Sequence, residues 1–179
     1  MKLLQLLPIG SLDDRLLPDL GSALPQLLDI PCEVLPLVLD PAQAFHSERQ
    51  QYHSSELLQQ MQRFVGPRCW RLLGLTAVDL YIPILTFVFG EAQIGGPCAV
   101  VSAHRLRQEF NGLAPDYELL CQRLLKESVH ELGHTLDLRH CHDYRCAMAS
   151  SHAVEWIDLR ESALCEACRV QLLSNVAQR

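Results

Sequence analysis

Residues 130–140 read His-Glu-Leu-Gly-His-Thr-Leu-Asp-Leu-Arg-His, and the spacing of the ionisable ones points to one chemistry. Successive residues of a helix are about 100° apart, so a helical His130 and His134 project within about 40° of each other, one turn apart. Both imidazoles then reach one metal ion. Glu131 lies on the flank of that wedge, too far round for a comfortable third ligand and well placed beside a metal-bound water. Two neutral imidazoles hold zinc in such an arrangement, and the carboxylate takes the proton from the water. The pentapeptide by itself is only moderately specific.

His140 sharpens the pattern. It follows His134 by six positions, the spacing of the longer motif H-E-x-x-H-x-x-G-x-x-H. A continuing helix would carry His140 about nine ångströms along the axis and off the face. A helix that stops and turns back near Asp137 instead lets His140 supply a third nitrogen and leaves a fourth position for water. Two other readings exist: three ordinary imidazoles at a helix end, or Asp137 as a ligand two turns on from His130.

Further along come Cys141, Cys146, Met148, Cys165 and Cys168. With the histidines they form H-E-x-x-H-x5-H-C, then C-x4-C-x-M and a later C-x-x-C. Residues 130–168 thereby resemble the archaemetzincins, a family of zinc metallopeptidases within the metzincins. The segment 85–102 is similar to the sheet region of the family, and the chain length fits.

The resemblance implies a metzincin-like zincin fold: a twisted mixed β-sheet, a backing helix, an active-site helix and a small irregular C-terminal lobe with a terminal helix. It implies two zinc ions per chain. One is catalytic, on His130, His134 and His140, with Glu131 as general base. The other is structural, closed by Cys141, Cys146, Cys165 and Cys168, a set whose spacing suits a tetrathiolate once each thiol is deprotonated. Met148 would be the apolar base beneath the histidines. An extended peptide would lie along an edge strand above the active-site helix, for which residues 97–103 after Gly95-Gly96 are the candidate. The family pattern has Gly where this chain has Asp137. Glycine takes positive φ without penalty; Asp is among the few other residues that tolerate it, at about 1 kcal/mol. The substitution therefore bears on the placement of His140 and on full activity.

The elements that must position these groups alternate. Residues 2–9 read as a strand. Ser11 caps a helical stretch to about Leu28, shortened or broken by Pro18 and Pro25. Residues 33–39 form a strand that Pro36 moves to an edge or shortens. Residues 41–65 read as helical, with Leu57, Leu58, Met61 and Val65 on one face, and Gly66-Pro67 ends them. Strands follow at 71–80, 84–90 and 97–103. Asp116 caps a long helix through about Leu136 with a buried stripe of Leu120, Leu124, Leu125, Val129 and Leu132, and 153–176 reads as a final helix. The whole chain, 1–179, reads as one domain, with an α/β N-terminal lobe (1–136) and a C-terminal lobe (137–179).

Composition narrows the function. Hydrophobic residues make up 49% and charged residues 20% of the 179, enough for a core without help from disulfides. The net charge of -6, with no Lys/Arg cluster, argues against nucleic acid. The opening MKLLQLLPIG faintly imitates a signal peptide, but Gln5 and Pro8 interrupt it and no cleavage site follows; no apolar run is long enough to span a membrane. The expectation is a cytoplasmic monomer, in which Cys32, Cys69, Cys98 and Cys121 are inert thiols. His46, His53, His104, His142 and His152 have no metal spacing of their own, and His142 and His152 are near enough in sequence to line the cleft. Asp13, Asp14 and Glu127 read as solvated. The function expected is zinc-dependent hydrolysis of peptide bonds in peptides or proteins. The alternatives are a catalytically silent zinc-binding or peptide-binding member of the fold, and a three-histidine metalloendoribonuclease, which the acidic balance disfavours.

Overall fold

A computed structural model describes residues 2–177. Its central sheet has five strands, β1 (Leu3–Ile9), β2 (Cys32–Val34), β5 (Cys69–Thr76), β7 (Gly90–Ala92) and β8 (Cys98–Ser102), in the order β2-β1-β5-β8-β7. All pairings are parallel except that of β7 with β8. A small second sheet joins β3 (Phe45–His46), β4 (Gln51–His53) and β6 (Leu80–Tyr81).

Strand side chains alternate between the two faces, and both faces are covered, which is why β1, β5 and β8 are almost continuously apolar. Leu4, Leu6, Leu73, Leu75, Ala99 and Val101 meet α1 (Leu16–Leu28) and α3 (Tyr117–Thr135) on one face. Leu7, Ile9, Leu72, Cys98 and Val100 meet α2 (Ser54–Met61) on the other. Gly74 makes that second approach close: a Cβ there would lie 2.6 Å from Ile9 Cδ1 and 3.0 Å from Met61. The remaining helices, α4 (Val154–Leu159) and α5 (Glu166–Ala177), follow the turn after α3.

Several expectations are corrected. The first helix starts at Leu16 rather than after Ser11 and runs through Pro25. The second strand ends at Val34, before Pro36, and is indeed an edge. Residues 41–65 are helical in earnest only from Ser54. Before it stand a 3₁₀ turn at Pro41–Ala44, capped by the Asp40 carboxylate, and the β3–β4 hairpin. Leu57, Leu58 and Met61 are buried as expected. Of the strand expected at 84–90, only Gly90 lies in one. The span 97–103 is not an edge: β8 pairs with β5 on one side and β7 on the other, so the edge is β7. The final helix is two helices, α4 and α5, separated at residues 160–165.

Candidate metal centre

Helix α3 carries the site, and its ends are set by its sequence. Asp116 caps it, Oδ1 accepting from the Leu119 N–H at 2.9 Å. The other end is a Schellman turn. Leu138 N–H donates to Gly133 O at 3.1 Å, Asp137 N–H donates to His134 O at 3.1 Å, and Asp137 has φ +63°. Positive φ at that position is what turns the chain off the axis, and here Asp supplies it.

The turn has chemical consequences. It delivers the Leu138 carbonyl to His134 Nδ1 at 2.8 Å. It also brings His140 back, its ring centroid 5.3 Å from that of His130 and 5.0 Å from that of His134. One nitrogen from each of the three lies within 4.8 Å of the others. His130 Nδ1 meets the Ala147 carbonyl at 2.8 Å. A carbonyl is an acceptor only, so these contacts put the protons of His130 and His134 on Nδ1 and leave both Nε2 atoms free, 3.1 Å apart. Tetrahedral zinc with Zn–N near 2.0–2.1 Å separates its ligand nitrogens by about 3.4 Å. The donor set fits such an ion. Burial is the first cause pushing all three imidazoles below their ordinary range, and the Arg160 charge adds to it for each. Neutral imidazole is the form that ligates.

Glu131 is buried beside these nitrogens and is not among the converging ligand atoms. Burial, then the Glu127 carboxylate one turn away, pushes its carboxyl well above the ordinary range. The edge strand leaves room for it at Gly90, where a Cβ would lie 2.8 Å from Glu131 Cγ and 2.8 Å from Val100 O. Met148 is fully buried and packs on α3 at Gly133, where any Cβ would collide with its sulfur. Above the histidines opens a cleft of about 560 Å³. One wall runs from Leu85 to Ala92 with Ile94; the other holds Arg139, Ser150, Ser151 and His152. His152 thus lines the cleft and His142 does not.

The second cluster lies past the turn. The sulfurs of Cys141, Cys146, Cys165 and Cys168 are within 4.8 Å of one another, and Cys141 and Cys165 are 3.8 Å apart. With Zn–S near 2.3 Å, a tetrahedral tetrathiolate has an edge of about 3.8 Å. Backbone N–H groups of Met148 and Cys165 point at Cys146 Sγ, at 3.4 and 3.3 Å. Burial raises the Cys141 and Cys168 thiols, while hydrogen bonds, first from the Cys168 backbone, lower that of Cys165. The other four cysteines are unbridged. Burial raises the thiols of Cys32 and Cys98 to about 11 and about 12, as inert packing groups require.

Sequence reasoning missed two residues. Glu127 is not solvated: it is buried and paired with Arg160, their side chains 5% and 1% exposed. No local signal marks the pair, because its members stand 33 positions apart.

The model of peptidase family M54 matches residues 28–174. An archaemetzincin of Methanocaldococcus jannaschii is 37% identical over 165 residues, 92% of this chain and 89% of that protein. The crystal structure of an archaemetzincin from Methanopyrus kandleri superposes with a TM-score of 0.80 at 33% identity, over 98% of this chain and 96% of that one. A zinc-dependent peptidase from Methanocorpusculum labreanum gives 0.84 at 28% identity, over 94% and 99%.

Proposed function

The chain belongs to peptidase family M54, and from that membership and the geometry of α3 we propose that it hydrolyses peptide bonds in peptide or protein substrates with zinc held by His130, His134 and His140. The observation that carries the reading is the convergence of three neutral imidazoles beside a buried carboxylate at the floor of an open cleft. Zinc bound there supplies Lewis acidity toward the scissile carbonyl and lowers the pKa of water.

The chain's own residues do the rest. Glu131 accepts the proton of the attacking water and returns it to the leaving amine nitrogen. The substrate backbone pairs with the free side of β7, an edge strand whose Gly90 leaves room for Glu131. Leu85, Phe87, Phe89 and Ile94 on the same wall receive apolar side chains. Cys141, Cys146, Cys165 and Cys168 hold a second, structural zinc. The chain works as one domain, with an N-terminal lobe (1–136) that ends in the active-site helix and a C-terminal lobe (137–179). Among the described residues no helix is long and apolar enough to cross a membrane.

The test is a degradation profile on a denatured-protein or peptide library, with and without chelator. Chelator-sensitive cleavage that zinc restores supports the reading. Absence of cleavage by protein carrying its full zinc complement would establish instead a silent, peptide-binding member.

A further inference from the structure

Arg160 is an unusual residue to bury. Its guanidinium is almost inaccessible and paired with one carboxylate, that of Glu127. A buried ion pair commonly stabilises no better than apolar residues of the same volume, so folding alone is a weak reason for this one. Its surroundings suggest another. Nη2 donates to Glu127, and Nη1 donates to Ala149 O at 2.8 Å and, more weakly, to Ala147 O at 3.3 Å. Ala147 O is also the acceptor that fixes His130 Nδ1. Nη1 itself lies 2.8 Å from that Nδ1. In the tautomer that ligates through Nε2 the Nδ1 proton goes to Ala147 O, so Nη1 and Nδ1 share that acceptor and do not bond to each other.

One side chain therefore grips the carbonyls on either side of Met148, the helix bearing His130 and Glu131, and the rim of the His130 ring. We propose that Arg160, neutralised by Glu127, is a positioning residue for the catalytic metal: it holds the Ala147 carbonyl that orients His130. Glu127 is needed because an unpaired guanidinium there would oppose a divalent cation. The inference rests on reading His130, His134 and His140 as the ligands.

Helix α4 is docked on α3 without this pair. Arg123 forms two bonds to Asp158, at 2.8 and 2.7 Å, and Lys126 reaches the Ile157 and Asp158 carbonyls at 3.3 and 2.9 Å. Loss of Arg160 should accordingly loosen the metal site more than the fold.

The test uses the full chain with both sites loaded, comparing wild type, Arg160→Lys and the neutral double variant Glu127→Gln/Arg160→Met. Lysine keeps the charge but cannot span the separate acceptors. The affinity of the histidine site for zinc and for cobalt is measured by chelator competition, with the cysteine-site metal in the same chain as internal reference. Both variants should keep cysteine-site affinity, lose about 10- to 100-fold at the histidine site, and shift the visible cobalt spectrum. In metal-saturated assays kcat should fall while KM holds. Histidine-site affinity within twofold of wild type, with an unchanged cobalt spectrum, overturns the inference even if melting temperatures drop. If the double variant fails to fold, Arg160→Lys alone decides by the same criterion. Wild-type protein that takes no cobalt at the histidines would remove the underlying ligand assignment, a separately visible result.

Discussion

The two ligand clusters flank one turn of chain and are built on opposite plans. His130 and His134 stand on consecutive turns of a capped, buried helix, and each is aimed by a carbonyl that the following chain brings back to it. His140 is exposed, and all three line the cleft. The cysteines come from the loop after the turn and from the start of α5, and none of them lines the cleft. Scaffold places the histidines; the cysteines, once joined by metal, become scaffold. On the proposed reading the first cluster would be set by the fold before metal binds, with a ligand position left open for chemistry. The second would, on the same reading, bind metal and fold together, as closed structural sites do.

The largest test of that contrast removes the cysteine site. Cys165→Ser with Cys168→Ser should take zinc content from two per chain to one and destabilise the C-terminal lobe, because structural-site binding energy, about 10 kcal/mol or more in small domains, is folding energy. Metal analysis and thermal unfolding read both effects. Two zinc ions retained in the double variant would sink the tetracysteine assignment.

At the histidine site the corresponding loss should be one of chemistry without structure. Glu131→Gln should keep both zinc ions and the melting temperature, while turnover falls about 10²–10⁴-fold. If catalytic zinc departs with the carboxylate, Glu131 is a ligand and the two clusters are less distinct than their geometry indicates.

Legibility in the sequence divides along the same line. The histidine wedge is local, a matter of helical angles, and so is the stop at Asp137, where the backbone has positive φ. What escaped is non-local. Residues 97–103 read as a strand, but nothing in them says that β8 is interior; that depends on β7, whose Gly-Glu-Ala has almost no strand propensity and is held by pairing with β8. The β3–β4 hairpin escaped because Gln50, at φ +55°, does the work usually given to Gly or Asn. Periodicity from 153 to 176 could not reveal the break at 160–165, where Arg160 turns inward to Glu127 and Cys165 to the other thiols. Glu127 looked solvated for want of its distant partner.

Protons offer a third, smaller contrast. Burial holds the three imidazoles below the ordinary His value and raises the Cys141 and Cys168 thiols above 9.0. At pH 7.5 the three imidazoles then have no proton to lose on binding zinc, so any release there comes from metal-bound water, while the cysteine thiols must give up about two or more. Calorimetry in buffers of different ionisation enthalpy should find more proton release on zinc binding by wild type than by the Cys165→Ser/Cys168→Ser variant, the difference being the thiol protons. The linkage sign follows. Histidines with depressed folded-state values take up protons in the unfolded chain first, so metal-free stability is fully present above pH 6.5 and declines as pH falls below it. Equal proton release from both proteins would count against this division.

The smallest effect, and the finest test, is at the turn between the clusters. Asp137 holds positive φ, at 63°, where glycine would do so freely. Its N–H is already engaged with His134 O, and Leu138, one residue on, both closes the Schellman turn and supplies the carbonyl that aims His134. Asp137→Gly therefore removes a conformational cost without removing any of these backbone bonds. It also adds freedom to the unfolded chain, and the two changes oppose each other at about the same size. Stability should move by no more than about 1 kcal/mol, with zinc content unchanged at both sites. Turnover should stay level or rise, since His140 settles more easily into place. Zinc stoichiometry, thermal unfolding and peptide turnover of the two proteins side by side measure all three. Loss of catalytic zinc from Asp137→Gly would mean that the aspartate contributes to the histidine site directly, and the three-histidine assignment would have to be redrawn around it.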